Sequence, residues 1–329
     1  MFRKGAIMAS AALLLAVSAT VSAAQESLQD VTVRFTWKYK GEYAPLFVAL
    51  DKGYYAEEGL KVTLAEGSGS QTVISLIGSG EENIGYGPAD AVAAAVNNDV
   101  PVKVVAVYQT KLPIAILSYP DNPIRVPKDL EGKKISGSTG GAFTRLLPAF
   151  AAANDLDLSK IEVVMLEGAV GNTQFLNRQV DAVSPYLSNE VPRLEKMAGM
   201  EFVKLRVADY GLPLLGASFF MGESFVDSNP ETVKKILRAT DRGYRDAIAN
   251  PAEAAEIMMR YLPAGEDSEV LQKQVEATVE STNVINDRPI GWQTEEDWNN
   301  TLTILADTGE IKEILPLERY FTNDFFDFE

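Results

Sequence analysis

The chain has 329 residues, a formal net charge of −16, and neither histidine nor cysteine. Without these two residue types, Ser-His-Asp and Cys-His catalysis is excluded, as are zinc sites built on His or Cys. The acidic balance disfavours nucleic acid and anionic membranes as partners, because both favour basic surfaces. The sequence has no P-loop and no G-x-G-x-x-G motif after a strand. Catalysis by paired carboxylates or a lysine stays open, but no residue spacing indicates it, and we predict a non-enzyme with no cofactor and no metal.

Residues 1–24 have the pattern of a secretory signal peptide. Arg3 and Lys4 form its charged start, residues 11–17 form a short apolar run, and residues 21–23 are the small residues that precede a cleavage site. The apolar run is too short to anchor the chain in a bilayer. We therefore expect a freely diffusing periplasmic protein of about 305 residues with a net charge of −18. A chain of this length usually forms two lobes rather than one core.

The first predicted strand leads into a loop that is rich in aromatic residues. Apolar and polar residues alternate over residues 31–35, which is strand spacing, and Pro45 suits the first turn of the helix that follows. The loop between them carries Trp37, Tyr39 and Tyr43. Loops at this position are where open α/β sheets bind ligands, so we predict that these rings line a site. The alternative is that they are ordinary packing residues.

The next predicted strand ends and helix starts place four more candidates at the same edge of the sheet. Ser70 ends a Gly-Ser loop whose backbone N–H groups can receive an anion or a carbonyl oxygen, although such loops are also plain connections. Tyr86 and Tyr108 end two strands, and Asp90 lies in the first turn of a helix. For Asp90 the alternative is helix capping or compensation of the helix dipole.

A second glycine-rich loop precedes a predicted helix in the middle of the chain. Ser138, Thr139 and Gly140 lie in this loop, and Arg145 lies in the first turn of the helix. Backbone donors, hydroxyl groups and the positive helix end make this the best predicted receptor for an anion or a polar group. Arg145 can add a charge-assisted hydrogen bond, or it can be a solvated or ion-paired arginine.

The remaining elements complete the cleft and a helical tail. Tyr186 and Glu190 follow a strand and are predicted to face the first lobe. Glu190 can accept hydrogen bonds from a ligand, or it can be an ordinary carboxylate at a helix start. Residues 213–221 are predicted to return as a crossover strand. Helices are then predicted over residues 231–249, 252–261, 267–281 and 294–308.

Several phrases of the chain resemble periplasmic solute-binding proteins of ABC importers, in the group that binds nitrate, sulfonates and thiamine precursors. They are residues 49–60 (ALDKGYYAEEGL), 79–92 (SGEENIGYGPADAV), 127–135 (PKDLEGKKI), 229–251 and 320–326 (YFTNDFF). The resemblance covers essentially the whole chain after the signal peptide. One branch of this fold family comprises enzymes that build the thiamine pyrimidine with a histidine of their own chain and a cysteine-bearing iron motif. This chain has neither residue type.

The resemblance implies an α/β fold of two lobes, the type II venus-flytrap fold, with a doubly wound sheet in each lobe and two crossover hinge segments. Lobe one would comprise residues 31–113 and 222–329, and lobe two residues 114–221. The implied protein is a monomer that closes around a small molecule and delivers it to an ABC permease in the inner membrane. The alternative class is a periplasmic sensor that presents its ligand to a receptor.

The candidate residues favour one class of ligand over another. The rings of Trp37, Tyr39, Tyr86, Tyr108 and Tyr186 suit a small aromatic or heterocyclic nutrient, such as a thiamine-pyrimidine precursor. The rival ligand is a small organic anion, such as a sulfonate, an aromatic carboxylate or nitrate. It would bind at the glycine-rich loop and Arg145. A ring that carries an anionic group would use both features.

Overall fold

The computed structural model describes residues 28–138, 141–166 and 168–328. The predicted signal peptide, residues 1–24, lies outside the described residues, as do the candidates Thr139 and Gly140. Within the described ranges, the helices are too short or too polar to cross a membrane.

Ten strands are formed by the described residues. They are β1 (Gln29–Phe35), β2 (Leu60–Ala65), β3 (Ile84–Pro88), β4 (Val102–Val107), β5 (Ala115–Ser118), β6 (Lys134–Gly137), β7 (Glu162–Met165), β8 (Ala182–Val183), β9 (Val203–Arg206) and β10 (Ala217–Gly222). They form two five-stranded sheets, with the orders β2-β1-β3-β10-β4 and β7-β6-β8-β5-β9. We call the part built on the first sheet lobe 1 and the part built on the second sheet lobe 2.

Both sheets mix parallel and antiparallel strands in the same way. In lobe 1, β1 runs parallel to β2 and β3, and β10 runs antiparallel to β3 and β4. In lobe 2, β6 runs parallel to β7 and β8, and β5 runs antiparallel to β8 and β9. The prediction of two α/β lobes is confirmed. Because the carboxyl ends of β1 and β3 meet at one edge, the loops that follow them come together there.

The described residues also form twelve α-helices. They are α1 (Ala44–Asp51), α2 (Tyr54–Glu57), α3 (Ser70–Gly78), α4 (Ala89–Val96), α5 (Ala142–Ala153), α6 (Gly168–Leu176), α7 (Glu190–Ala198), α8 (Glu223–Ser228), α9 (Pro230–Ala249), α10 (Pro251–Met259), α11 (Ser268–Glu280) and α12 (Glu295–Asp307). The four predicted tail helices appear as α9 to α12. The side chains of Asp267 and Thr294 cap α11 and α12 by accepting backbone N–H groups, which fixes where these helices begin.

Two segments connect the lobes. Residues 108–114 lead from β4 to β5, and residues 207–216 lead from β9 back to β10. β10 is hydrogen-bonded between β3 and β4, so the returning strand belongs to the sheet of lobe 1. The predicted division of the chain at residues 221 and 222 would leave most of this strand in lobe 2. The exact lobe boundaries stay a prediction.

Candidate functional site

A cleft between the lobes contains two adjacent cavities. The first chamber has a volume of about 410 Å³ and is lined from lobe 1 mainly by the loop after β1 and by the end of β3. The second chamber has a volume of about 420 Å³ and extends along the ends of β6 and β8 in lobe 2. Four residues line both chambers: Trp37, Gly141, Tyr186 and Glu190. The two chambers are therefore adjacent.

Seven of the predicted site residues line these chambers. Tyr43, Ser70 and Tyr86 line the first chamber, and Ser138 lines the second. Trp37, Tyr186 and Glu190 line both. Tyr43 and Tyr86 are buried, whereas Trp37 is 50% exposed. Tryptophan side chains are highly buried on average, and Trp298 of this chain is completely buried, so the exposure of Trp37 is unusual.

The loop that carries Trp37 is held on both sides by hydrogen bonds. The backbone N–H of Gly67 donates to the carbonyl oxygen of Trp37 at 3.2 Å, and the N–H of Gly69 donates to that of Thr36 at 2.9 Å. The N–H of Tyr39 donates to Glu66 Oε1 at 2.8 Å, and this contact holds the pKa of that carboxyl below its usual value. The backbone on each side of Trp37 is therefore fixed, and the indole is presented to the cleft.

Tyr39 belongs to the packing of lobe 1 and lines neither chamber. Its hydroxyl donates to the carbonyl oxygen of Leu64 at 2.6 Å. Its ring packs edge-on against Phe35 and Phe47, with centroid distances of 5.9 and 5.1 Å. The packing interpretation therefore describes Tyr39, and the placement in the cleft predicted for it is corrected.

Tyr108 also lies outside both chambers. Its ring is completely buried and stacks on Tyr244 of α9, with a centroid distance of 4.3 Å and an interplanar angle of 1°. Its hydroxyl has no hydrogen-bond partner among the described residues. The side chain therefore faces the layer between the sheet and α9. The end of β4 lies at the expected edge of the sheet, but the ring points to the other side.

Asp90 and Arg145 form an ionic cluster between the lobes instead of lining the chambers. Arg145 of α5 lies 2.7 Å from Glu310, which follows α12, and 4.0 Å from Asp90 Oδ2 of α4. Asp90 is 3% exposed, and its Oδ1 has no hydrogen-bond partner within the described part of the chain. Burial raises the pKa of Asp90 to about 6, although Arg145 opposes the shift. The ion-pairing interpretation therefore describes Arg145.

Two charged residues of the first chamber were missed by the sequence analysis. Lys40 Nζ lies 3.0 Å from Glu42 Oε1. It also lies 5.7 Å from the ring centroid of Tyr43 and 5.8 Å from that of Tyr186. Both residues follow Trp37 closely in the same loop, and this proximity in the sequence could have predicted that they line the site. The prediction for this loop rested on its aromatic rings alone.

Glu190 is oriented by its own neighbours at the start of α7. Its carboxylate accepts the backbone N–H of Tyr186 at 2.9 Å and the side-chain amide of Asn189 at 2.8 Å. Desolvation raises the pKa of Glu190, although Lys40 and the Tyr186 N–H oppose the shift. The first chamber therefore contains the carboxyl groups of Glu42 and Glu190 and one ammonium group. In the described residues, no cluster of acidic side chains is placed to hold a metal ion.

The two lobes and the cleft between them form the fold of periplasmic binding proteins. The periplasmic aliphatic sulphonate binding protein SsuA from Escherichia coli superposes with a TM-score of 0.69. The match covers 88% of this chain and 91% of that chain at 12% identity, so it shows the fold alone. The predicted fold class is confirmed. Residues 40–254 match the family described as NMT1/THI5 like, and the chain belongs to this family.

Curated relatives of this chain include two binding proteins. The riboflavin-binding protein RibY of Chloroflexus aurantiacus is 28% identical over 313 residues, which are 92% of this chain and 87% of RibY. The formylaminopyrimidine-binding protein of Halalkalibacterium halodurans is 24% identical over 303 residues, which are 90% of each chain. The resemblance to solute-binding proteins of ABC importers, predicted from the sequence, is confirmed.

Other relatives are named as enzymes. The 4-amino-5-hydroxymethyl-2-methylpyrimidine phosphate synthase of Legionella pneumophila is 26% identical over 247 residues, which are 73% of this chain and 76% of that enzyme. The family therefore contains both binding proteins and enzymes.

Proposed function

We propose that this chain is the periplasmic substrate-binding component of an ABC importer and captures a flat, nitrogen-containing heterocycle in the first chamber. It is exported by the signal peptide, acts as a monomer and delivers the ligand to a permease in the inner membrane. The observation that carries the proposal is the half-exposed indole of Trp37, which lines the same chamber as Tyr186 and the carboxylate of Glu190.

The aromatic side chains of the first chamber support a flat ligand. Trp37 is exposed to the cleft, and Tyr186 lies on the lobe 2 side of the first chamber. A flat ring between the lobes can therefore contact Trp37 with one face and Tyr186 with the other. Contacts between aromatic faces favour flat rings, and a few polar groups then set the orientation. The names of two relatives fit this class, because riboflavin and formylaminopyrimidine both contain a flat nitrogen heterocycle.

The charges of the cleft favour a hydrogen-bond donor over an anion. A carboxylate accepts hydrogen bonds from ring N–H and amino groups, and Glu190 is available for this in both chambers. Lys40 is the single basic side chain among the described lining residues, and it is paired with Glu42. Arg145, which the rival sulfonate hypothesis requires, is paired with Glu310 outside the chambers. A sulfonate would therefore meet excess negative charge.

The absence of histidine and cysteine supports binding rather than catalysis. The sequence resembles a fold family with an enzyme branch. Those enzymes use a histidine of their own chain and a cysteine-bearing iron motif, and this chain has neither residue type. Opening and closing of the lobes around the ligand then controls its transfer, with no bond broken.

A thermal-shift screen of the purified protein tests the ligand class. We expect riboflavin or a formylaminopyrimidine to raise the unfolding midpoint in a concentration-dependent way, because a ligand that binds only the folded state stabilises it. Methanesulfonate and nitrate serve as the anionic comparison and should leave the midpoint unchanged. A shift with the anions alone would reject the heterocycle proposal.

Trp37→Ala tests the site itself. We expect the free energy of binding of the heterocycle to weaken by about 1–2 kcal/mol, the lower part of the range for stacking contacts, because the indole is half exposed. Isothermal titration calorimetry measures the change. Trp292→Ala, outside both chambers, is the control and should leave the affinity unchanged. Wild-type affinity in a stably folded Trp37→Ala protein would remove Trp37 from the site.

A further inference from the structure

We propose that the second chamber binds a hydroxylated, uncharged chain attached to the heterocycle, so that the physiological ligand is a ring with a polyol substituent. This inference rests on the proposed function, because it assumes that a ring occupies the first chamber. It goes further by naming which substituent the ring carries and which residues select it.

The adjacency of the chambers supports a ligand with two parts. Trp37, Tyr186 and Glu190 line both chambers, so they stand where the two cavities meet. A ring held by these residues has one edge directed into the second chamber. That chamber is as large as the first, at about 420 Å³ against about 410 Å³. A lone pyrimidine in the first chamber would leave this volume to water.

The lining of the second chamber is rich in hydroxyl and amide groups. These are the side chains of Ser136, Ser138, Thr144, Asn172 and Ser184. A hydroxyl group both donates and accepts hydrogen bonds, and a side-chain amide offers both functions. The hydroxyl groups of a ligand also donate and accept hydrogen bonds, so they can form hydrogen bonds with this lining in several arrangements. Phe143 and Leu166 also line the chamber and can pack against the C–H groups of a polyol chain.

The charges of the second chamber argue against the other two kinds of substituent. Glu190 is the single charged side chain among the described residues that line it. A phosphate group there would find the N-terminus of α5 but no lysine or arginine of the described lining, and it would be repelled by the carboxylate of Glu190. An alkyl chain would displace water from the hydroxyl groups without replacing its hydrogen bonds, and unpaired polar groups are costly. A neutral polyol avoids both penalties.

Three flavin probes separate these possibilities in calorimetric titrations of the full chain. Lumichrome carries the ring without the chain, riboflavin adds a ribityl chain, and flavin mononucleotide adds a phosphate to that chain. We expect riboflavin to bind at least about tenfold more tightly than lumichrome, because several hydrogen bonds are added. Flavin mononucleotide should bind more weakly than riboflavin. Equal affinity for lumichrome and riboflavin, or tighter binding of flavin mononucleotide, would overturn the inference.

Asn172→Leu and Ser184→Ala test the assigned residues. Each should weaken riboflavin binding by roughly fivefold, the effect of one lost hydrogen bond, and leave lumichrome binding unchanged. Asn177→Leu, exposed just beyond the same helix α6, is the matched control and should change neither affinity. Equal weakening of lumichrome and riboflavin by Ser184→Ala would overturn the assignment, even if Asn172→Leu does not fold.

The outcomes also separate this inference from the proposed function. Binding of a formylaminopyrimidine without any binding of riboflavin would leave the proposed function standing and overturn the polyol subsite. Binding of sulfonates alone would overturn both.

Discussion

Glu190→Gln is expected to weaken binding of the heterocycle by about 10- to 150-fold, which corresponds to the loss of a hydrogen bond to a charged group. Glutamine has nearly the same size, so its side-chain oxygen can still accept the Tyr186 N–H at the start of α7, while the hydrogen bond from the Asn189 amide is lost. The change removes the charge and presents an N–H donor where a ligand donor would point. Affinity should therefore fall while the unfolding midpoint of the free protein stays close to that of the wild type.

The same substitution has a pH signature. Desolvation raises the pKa of Glu190, and the ionised carboxylate is the form that accepts ligand N–H groups. Wild-type affinity should be full above this raised pKa and fall as the pH drops through it, at a higher pH than for an ordinary glutamate. Glu190→Gln should not show this fall.

A control on the same lobe makes the result specific. Glu201→Gln, at an exposed position outside both chambers, should leave the affinity and its pH dependence unchanged. If Glu190→Gln kept wild-type affinity for a ring with N–H donors, Glu190 would orient Tyr186 without contacting the ligand.

The elements of the fold could be predicted because their signals are local. Proline at the first position of α9 and the capping side chains of Asp267 and Thr294 mark helix starts without reference to the rest of the chain. The sheet that a strand joins cannot be predicted from local signals. Residues 213–221 have strand character, but nothing local says that β10 inserts between β3 and β4. That placement depends on partners that lie over a hundred residues earlier.

The site could be predicted to the level of the sheet edge but not of the side-chain direction. Tyr86 and Tyr108 both lie at the ends of strands, yet one lines the first chamber and the other stacks on Tyr244. Trp37 and Tyr39 are two residues apart in one loop, and only Trp37 reaches the cleft. The position of a residue at a strand end predicts which edge of the sheet it lies at. The packing of neighbouring helices decides on which face of the sheet its ring lies.

Asp90→Asn is expected to stabilise the protein at pH 7.5, on the order of 1–3 kcal/mol in the free energy of unfolding. The pKa of Asp90 is raised from 3.8 to about 6 in the folded protein, mainly by burial. The folded state therefore binds this proton more tightly than the unfolded state. The group costs nothing below pH 3.8, and stability is lost as the pH rises to about 6, above which the full cost remains.

Asparagine has the same shape without the charge, so it removes this cost. The gain measured by urea unfolding should be full at pH 7.5 and shrink as the pH is lowered below 6 toward 4.5. Arg145 keeps its partner Glu310 at 2.7 Å in this variant, so no arginine is left unpaired. Asp227→Asn, at an exposed position, is the control and should change stability little at either pH.

The opposite result would have a definite meaning. Arg145 lies 4.0 Å from Asp90, at the limit of an ion pair, and the raised pKa says that this attraction does not offset the burial of the carboxylate. A loss of stability in Asp90→Asn at pH 7.5 would show that the attraction between the lobes outweighs the desolvation. Arg145→Gln separates the two contributions, because it leaves ionised Asp90 without its cation. Its destabilisation should therefore be larger at pH 7.5 than at pH 5. Adding Asp90→Asn should reverse the part that comes from Asp90, while the loss of the Glu310 pair remains.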